Sequence, residues 1–528
     1  MSAAGQGDGR PNILWFITDD TDHSMLGYSG GQVLTPNIDR IAYRGVQCTN
    51  FFTSTPVCTP ARYNCLTGHY AGSCPGDGFR SDTPSDEPYR VMWNTDLLPE
   101  REKCLGHALQ AGGYVTGYTG KWHCGPGAGK LGVNDFQPDD DPADPEVEAK
   151  LQERQRAICE QVRKNGFDYA ASIIWGNTDG RPVKRLHEHN LEWIAKGALD
   201  FLDEHGDGDR PFFLQVATST IHGPSHVMSL LADERLTGAG YLDDHVGCMP
   251  PRLSVLRRLE DAAHISITHR TAGALWTDDL VGTVMDRLRE VGAGEDTIVI
   301  FTTDHGALDG KATCHHGGSH IPFVLQWPDR VPAGSMCEEP IQNIDLVPTL
   351  LEAAGVEPPE EMHLDGGSAL PWLLGEKRDE ALHEDLYFEW GYARAVATER
   401  WKYIAFRYPE RLLEEMKSGQ VEKAYDQGGR MGALLSTRRY RNYWDADQLF
   451  DLVNDPEEQC NLADCPDYAD VLAEMKDRLR GYLEKFDRPY PDLDEVDEFR
   501  HSERYRELCR RTASGDPNQW EWYRKGWY

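Results

Sequence analysis

Short apolar runs that stop at polar residues are the feature of this sequence that most constrains its fold. Uninterrupted runs of this length are typical of strands buried on both faces of a parallel sheet. Stretches with helical periodicity lie between them, and such an alternation predicts an α/β fold with a mostly parallel central sheet flanked by helices. The apolar runs are residues 12–17, 212–217, 298–301 and 323–325, and the helical stretches include residues 191–205 and 269–291.

Polar side chains follow three of these predicted strands. Asp19 and Asp20 come after the first run, His222 after the second, and Asp304 and His305 after the third. In parallel α/β sheets, ligands bind beyond the carboxyl ends of the strands. The sequence therefore predicts that these five residues, all able to bind a metal or carry a proton, meet at one rim of the sheet.

The chain has 528 residues, which is too long for one simple core. After about residue 375 the pattern changes, because residues 394–398 and 401–405 predict an antiparallel hairpin and residues 468–486 an amphipathic helix. We predict a smaller C-terminal α+β domain there, followed by a tail. The tail packs either on the body of the protein or on another subunit, and in the second case the protein would be a homo-oligomer. The predicted segments are a disordered N-terminus (1–10), a catalytic domain (11–376), an α+β subdomain (377–489) and a tail (490–528).

Charge and hydropathy exclude several partners and leave the compartment open. The net charge of −33 argues against general binding of nucleic acid or anionic membranes, so an anion site must be a local cluster of cationic side chains. No apolar run has transmembrane length. The polar N-terminus shows no signal peptide, so we expect a cytoplasmic protein as the sequence stands, or a periplasmic or secreted one if a leader was removed. The 13 cysteines show no disulfide framework.

A candidate nucleophile lies in the segment Pro-Val-Cys-Thr-Pro-Ala-Arg, residues 56–62. Pro60 suits the first turn of a helix, which places Cys58 just before the N-terminus, where backbone N–H groups favour an anion. Arg62 lies four residues on and faces the same side. The pattern fits a nucleophile in positive surroundings and, equally, an inert buried cysteine before a helix that starts with proline.

Cys58-Thr59-Pro60-Ala61-Arg62, followed by Leu66-Thr67-Gly68, resembles the C-x-P-x-R…L-T-G signature of the sulfatase family. The resemblance runs from about residue 11 to about residue 487 and implies an alkaline-phosphatase-like α/β fold with a small C-terminal antiparallel sheet. Other segments that match family motifs are Asp19-Asp20 and Asp304-His305-Gly306 (metal pairs), Thr35-Pro36-Asn37-Ile38-Asp39 (T-P-N-L/I-D), Gly120-Lys121-Trp122-His123 (G-K-W-H) and residues 448–462 (L-Y/F-D-L…D-P…N-L).

The resemblance implies a sulfuric ester hydrolase that cleaves sulfate monoesters. A separate maturation enzyme would oxidise Cys58 to formylglycine (3-oxoalanine), whose hydrate has two hydroxyls on one carbon. One hydroxyl attacks sulfur to give a covalent sulfo-enzyme, and the other then loses its proton so that the hemiacetal collapses and expels sulfate. A serine in this place could not release the product in that way.

One divalent metal is the implied cofactor, with Asp19, Asp20, Asp304, His305 and position 58 as its ligands. Carboxylate oxygens favour Ca²⁺, and the imidazole shifts the preference toward Mg²⁺ or Mn²⁺. The metal would neutralise a sulfate oxygen and lower the pKa of the hydrate. Without a metal, Asp19-Asp20 would be a helix N-cap pair.

The resemblance also implies catalytic roles around the metal. Arg62 would orient the hydrate, and Lys121 and Lys311 would bind sulfate oxygens, where charge builds up in the transition state. His123 would be the base that collapses the hemiacetal, and His222 the substrate-binding acid that protonates the leaving oxygen. Lys311 is the only lysine between residues 304 and 323, a stretch that is longer in the family.

Substrate identity depends on loops around the rim, residues 72–93, 125–157 and 237–259. Within them Asp82, Arg90 and Trp93 are candidate sugar contacts. Residues 314–320, which end in His320 as a further substrate-binding candidate, are a specificity loop, an accidental metal-binding tract or an exposed Gly-rich loop. We expect a sulfated carbohydrate, from oligosaccharide to small sugar, or an alkyl or aryl sulfate.

Three alternatives remain at this stage. Phosphonate monoester and phosphodiester hydrolases share the C-x-P-x-R motif and the Asp-His pair, but tend to have Tyr and Thr in place of Lys121 and His123. A non-catalytic binding protein would lack a core residue, and none is missing. A hydrolase that uses the Cys58 thiolate directly would leave the carboxylates without a purpose.

Overall fold

The main sheet is built around the first apolar run of the chain. The computed structural model describes residues 9–81, 85, 87–93, 95–125, 132–307, 310–376, 378–427 and 432–514. Its strands are β1 (Asn12–Thr18), β2 (Val46–Cys48), β3 (Phe51–Phe52), β4 (Val115–Lys121), β5 (Tyr169–Ile174), β6 (Phe212–Ala217), β7 (Leu236–Thr237), β8 (Gly240–Tyr241), β9 (Thr297–Thr303), β10 (Phe323–Gln326), β11 (Ser335–Cys337), β12 (Ile341–Gln342), β13 (Leu386–Trp390), β14 (Ala393–Ala397), β15 (Trp401–Phe406) and β16 (Asp447–Asp451).

Helices cover both faces of the main sheet, and further helices pack in the C-terminal domain. In the described part of the chain they are α1 (Pro36–Arg44), α2 (Cys58–Thr67), α3 (Asp77–Ser81), α4 (Leu105–Ala111), α5 (Pro145–Arg163), α6 (Leu191–His205), α7 (His226–Leu231), α8 (Arg252–Asp261), α9 (His269–Glu290), α10 (His316–Ser319), α11 (Leu346–Ala354), α12 (Leu370–Leu373), α13 (Glu410–Ser418), α14 (Gly432–Arg439), α15 (Ala469–Leu483) and α16 (Glu503–Ala513). Among the described residues, no helix is long and apolar enough to cross a membrane.

The strand order of the main sheet is β11-β2-β10-β9-β1-β6-β4-β5. Strand β1 pairs in parallel with β6 on one side and with β9 on the other. Its side chains alternate between two cores: Leu14 and Phe16 pack with α1, α6 and α9, whereas Trp15 and Ile17 pack on the opposite face with α2, α4 and α11. Because both faces are covered, the strand is apolar without alternation, and the predicted α/β class is confirmed.

Residues 323–325 form a strand as predicted, but β10 runs antiparallel to β9 and to β2. A parallel return requires a crossover of a dozen or more residues, usually a long helix. In the described residues between β9 and β10, the only helix is the four-residue α10. The chain therefore turns back at the same end of the sheet.

The C-terminal sheet has the order β13-β14-β15-β16 and is antiparallel throughout. The predicted hairpin is β14–β15, and the predicted helix is α15, whose Met475 and Leu479 pack on the sheet. The tail packs on its own domain, because Tyr505 and Leu508 of α16 lie in one apolar cluster with Phe406 of β15. Residues 1–8 and 515–528 lie outside the described residues, and the proposed domain boundaries stay predictions.

Candidate active site

Two neighbouring strands bring the predicted metal pairs together. Thr18 at the end of β1 is in register with Thr303 at the end of β9, so Asp19 and Asp304 follow at the same level of the sheet. The predicted rim is therefore present at the carboxyl ends of the central strands.

Cys58 lies at this rim as the first residue of α2. The helix therefore begins one residue earlier than predicted, since Cys58 was expected just before it. Its Sγ is 3.4 Å from Asp19 Oδ1 and 3.1 Å from His305 Nε2. One potential ligand atom from each of Asp19, Cys58, Asp304 and His305 lies within 4.8 Å of the others, and all four side chains are buried. Carboxylates and an imidazole converging in a buried pocket are the donor set that a divalent cation requires.

Asp20 lies at the edge of this group. Its Oδ1 is 3.3 Å from His305 Nε2 and 2.7 Å from Lys311 Nζ. The short helical turn that follows begins at residue 23 and is capped by Asp22. The N-cap alternative for Asp19-Asp20 is therefore wrong, because no helix begins at these residues; Asp19 lies in the buried group with Cys58, Asp304 and His305, and Asp20 lies beside it.

Three buried cations balance the three carboxylates. Arg62 Nε donates to Asp304 Oδ2 at 3.0 Å, Lys121 Nζ donates to Asp19, and Lys311 Nζ donates to Asp20. Burial alone would raise the pKa of Asp19, but the charge of Lys121, followed by those of His222, Arg62 and Lys311, holds that pKa well below its ordinary value. Because the chain is acidic overall, an anion site needs a local cluster of cationic side chains. Arg62, Lys121 and Lys311 form such a cluster around the three carboxylates.

The surroundings of the Cys58 thiol favour its protonated form. Burial, and next the charge of Asp19, raise its pKa above the ordinary value for cysteine. A thiol is a poor nucleophile, since the thiolate carries the reactivity. The unmodified side chain therefore gives no support to a thiolate hydrolase.

His123 and His222 also border the group. Burial, then the charge of Lys121, lower the pKa of His123 well below its ordinary value, and His222 contributes to the same effect. The Nδ1 atom of His123 is buried and has no hydrogen-bond partner in the described part of the chain. Burial, then Lys311, lower the pKa of His222, whose Nδ1 lies 2.9 Å from the Gly223 carbonyl oxygen.

Gly120 explains how β4 delivers Lys121 to the rim. The pairing of β4 with β5 shifts register between Thr119 and Lys121, and Gly120 has a φ of 90°. A Cβ atom there would lie 1.8 Å from the Ala217 carbonyl oxygen. The glycine of the G-K-W-H motif therefore permits both the left-handed turn and the close approach to β6.

We expect Gly120→Ala to cost more than the roughly 1–3 kcal/mol of a strained backbone residue, because it adds a clash to the unfavourable φ. Gly292→Ala is the matched control, since Gly292 has a φ of 83° but nothing within 4 Å of an added Cβ. Urea unfolding measures both variants. Equal losses in the two would contradict the account.

Asn177 was not among the residues predicted from the sequence, and its Oδ1 accepts a hydrogen bond of 2.6 Å from Lys121 Nζ. Asn177 follows β5, whose sequence is Tyr-Ala-Ala-Ser-Ile-Ile. This segment has too few large apolar residues to be recognised as a buried strand from its apolar pattern. A polar residue after a recognised strand would have given the signal.

The tract 314–320 is not the exposed loop that one alternative predicted. Cys314 and His315 are fully buried, and the His315 ring stacks on Tyr440 at 4.0 Å between ring centres. His320 Nε2 donates to the Thr49 carbonyl oxygen at 2.6 Å, and the His320 ring lies 4.6 Å from that of His23. The tract packs against the C-terminal domain, and its role in substrate binding stays a prediction.

The other candidate sugar contacts lie farther along the rim loops. Arg90 Nη1 pairs with Glu87 at 2.6 Å, and Trp93 is 42% exposed with its ring edge-on to Trp390. Asp82 lies outside the described residues.

Comparisons with known proteins identify the family of this chain. A model of the Sulfatase family matches residues 11–356, and a model described as N-sulphoglucosamine sulphohydrolase, C-terminal, matches residues 303–418. Human arylsulfatase D is 26% identical over 72% of this chain and 70% of its own. An ulvan-active sulfatase from Formosa agariphila is 26% identical over 90% of this chain and 81% of its own. A solved protein in complex with its substrate D-glucosamine-2-N,6-O-disulfate shares the fold, with a TM-score of 0.58, 18% identity, and coverage of 92% and 100%.

Proposed function

Because the chain belongs to the sulfatase family and is a sulfuric ester hydrolase, we propose that it cleaves sulfate monoesters of carbohydrates with a formylglycine formed from Cys58 and one divalent metal. The observation that carries this proposal is the buried group in which Cys58 lies within 4.8 Å of the ligand atoms of Asp19, Asp304 and His305. A nucleophile beside a metal site at a helix N-terminus is suited to an anionic ester.

The donor set fits a metal of the Ca²⁺ or Mg²⁺ class. Asp19, Asp20, Asp304 and His305 would hold it, together with position 58. When bound, it would supply positive charge that neutralises a sulfate oxygen and lowers the pKa of the formylglycine hydrate. A maturation enzyme is a required partner in this proposal, because oxidation of Cys58 needs a separate catalyst.

The three cations have two tasks. Without a metal they neutralise the carboxylates, since Lys121 donates to Asp19 and Lys311 to Asp20. Divalent charge on the same carboxylates would weaken their attraction for the two lysines, whose ammonium groups would then be available for sulfate oxygens. Arg62 stays bound to Asp304 and to the carbonyl oxygens of Thr18 and Lys121, so it fixes the helix rather than moving.

The histidines would move the protons. A lowered pKa keeps His123 neutral near pH 7, as a base for collapse of the hemiacetal must be. His222 must first gain a proton to act as the acid toward the leaving oxygen. Binding of an anionic ester beside it favours that protonated form, because a nearby negative charge raises the pKa of an imidazole.

A carbohydrate is the proposed substrate class because several of the relatives are named for carbohydrate substrates. The Formosa agariphila enzyme is ulvan-active, and mammalian relatives that are 24–27% identical are N-acetylgalactosamine-6-sulfatases. The solved neighbour with D-glucosamine-2-N,6-O-disulfate has a sulfated sugar as its substrate. None of these names fixes the sugar for this chain.

The proposal is tested by comparing kcat/KM for one aryl leaving group carried as a sulfate and as a phosphonate monoester. The protein should be matured, with conversion of Cys58 checked by peptide mass, and supplied with calcium. We expect a clear preference for the sulfate, because Lys121 and His123 are placed for it. A preference for the phosphonate would assign the chain to the phosphonate and phosphodiester hydrolases instead.

A further inference from the structure

A pocket adjoins the candidate active site at the end of β5. It is formed by the end of β5, the segment that follows it, and α5. Its lining includes Arg154, Gln155, Trp175, Asn177, Arg181 and Leu186. We call it the Arg154–Arg181 pocket.

The pocket shares residues with the site. Asn177 lines it, and its Oδ1 accepts the hydrogen bond from Lys121 Nζ. Trp175 also lines it, and its carbonyl oxygen accepts a hydrogen bond of 3.0 Å from the backbone N–H of His123. The pocket therefore adjoins the groups proposed to hold the sulfate, with Asn177 in contact with both.

Two guanidinium groups face this pocket without a salt bridge to any described residue. Arg154 is 7% exposed, and its Nη1 donates to the Val133 carbonyl oxygen at 2.9 Å and to Asn134 Oδ1 at 2.6 Å. Arg181 Nη1 donates to the carbonyl oxygens of Leu186 and Glu188 at 2.6 and 3.1 Å. Buried charges in proteins are usually paired with an opposite charge. The chain has a net charge of −33, so carboxylates to pair with these two arginines are abundant in it.

The Nη2 atom of Arg181 is a hydrogen-bond donor whose acceptor is not found among the described residues. It is buried and has no hydrogen-bond partner in the described part of the chain. Burial lowers the pKa of Arg181 to about 10 even though Glu188 acts to raise it, and burial also lowers the pKa of Arg154. A desolvated cation that is satisfied only by carbonyl oxygens gains most from an incoming anion.

We propose that the Arg154–Arg181 pocket is a substrate subsite that binds a second anionic group, a sulfate or a carboxylate, of the ester whose scissile sulfate lies at Cys58. The inference rests on the proposed function and adds a specificity: the preferred substrate has an anionic substituent besides the sulfate that is removed. Trp175 and Leu186 supply apolar surface for the part of the sugar between the two charges.

The competing explanation is that Arg181 only ties down residues 186–188 through its backbone contacts. Affinity alone does not separate the two, but a preference between matched ligands does. The first pair of probes is N-acetylglucosamine 6-sulfate and N-sulfoglucosamine 6-sulfate, and the second is glucose 2-sulfate and glucuronate 2-sulfate. Each pair keeps one sulfate and adds an anion in the second member.

Isothermal titration calorimetry is run on calcium-loaded protein carrying Cys58→Ala, so that no probe is consumed. We expect the dianionic member of at least one pair to bind roughly 10- to 100-fold more tightly, as hydrogen bonds to charged groups allow. A preference within the first pair would identify the second anion as a sulfo group, and a preference within the second pair would identify it as a carboxylate. Arg181→Gln and Arg154→Gln should remove most of it, whereas Arg185→Gln, an exposed arginine of the same segment paired with Asp141, should retain it.

No preference in the parent protein, or a preference that Arg181→Gln retains, would overturn the proposal. A uniform loss of affinity for all four probes would assign Arg181 to the backbone role alone. Turnover of 4-nitrophenyl sulfate by matured protein is measured in parallel. Its absence would count against the proposed function, whereas the binding preference reports only on the pocket.

Discussion

Cys58→Ala should lower kcat for an aryl sulfate by at least about 10⁴-fold, because removal of a covalent nucleophile costs this much or more in hydrolases. The fold should survive, since the change deletes one sulfur from a buried side chain and most such changes cost about 1 kcal/mol. Steady-state kinetics and thermal unfolding of the same preparation measure the two effects.

Two variants sharpen this test. Cys65→Ala removes another buried sulfur from the same helix α2 and should leave kcat nearly unchanged. Cys58→Ser offers one hydroxyl where the hydrate offers two, so it should become sulfated once and stop, with one sulfo group found on the protein by intact mass. Multiple turnovers by Cys58→Ser or parent rates in Cys58→Ala, with contaminating sulfatase excluded, would contradict the formylglycine route.

Removal of the divalent metal should lower kcat/KM by about three powers of ten, because the charge stabilisation it would supply is worth several kcal/mol. It should also lower the unfolding temperature, since a metal at 100 times its Kd adds about 2.7 kcal/mol to the stability of the folded state. Chelation followed by calorimetry with and without added Ca²⁺ gives a readout that does not depend on turnover.

The metal site is assigned by Asp304→Asn, which should abolish the Ca²⁺-dependent rise in unfolding temperature. Asp22→Asn is the control, because Asp22 lies three residues beyond Asp19 and pairs with Arg270 outside the buried group. The comparison uses the rise and not the absolute temperature, since loss of Asp304 also leaves Arg62 short of a partner. A rise that persists in Asp304→Asn would place the ion elsewhere.

The sequence predicted the central strands and the residues at their ends because burial on both faces leaves a simple signal. Strands β1, β6 and β9 contain the predicted apolar runs, and the parallel pairing of β1 with β9 then fixes Asp19 beside Asp304. The direction of β10 was not predicted, since a strand in isolation has the same composition in either direction. The connection between β9 and β10 is long enough for a crossover, but its described residues form only the four-residue helix α10.

The rest of the site depends on contacts between segments far apart in the chain. Asn177 reaches Lys121 from a strand that the apolar pattern did not reveal. The burial of residues 314–315 depends on Tyr440 and Gln448 of the C-terminal domain, more than 120 residues away. Local composition predicted an exposed Gly-rich loop as one alternative, and tertiary packing reversed it.

The most direct test of the account is the dependence of sulfate ester turnover on the state of residue 58. Protein would be produced with graded amounts of maturation enzyme, and the fraction of formylglycine at position 58 determined by peptide mass. We expect kcat per protein molecule for 4-nitrophenyl sulfate to rise in proportion to that fraction and to extrapolate to zero when residue 58 is entirely cysteine. Equal turnover by converted and unconverted protein would contradict the central claim.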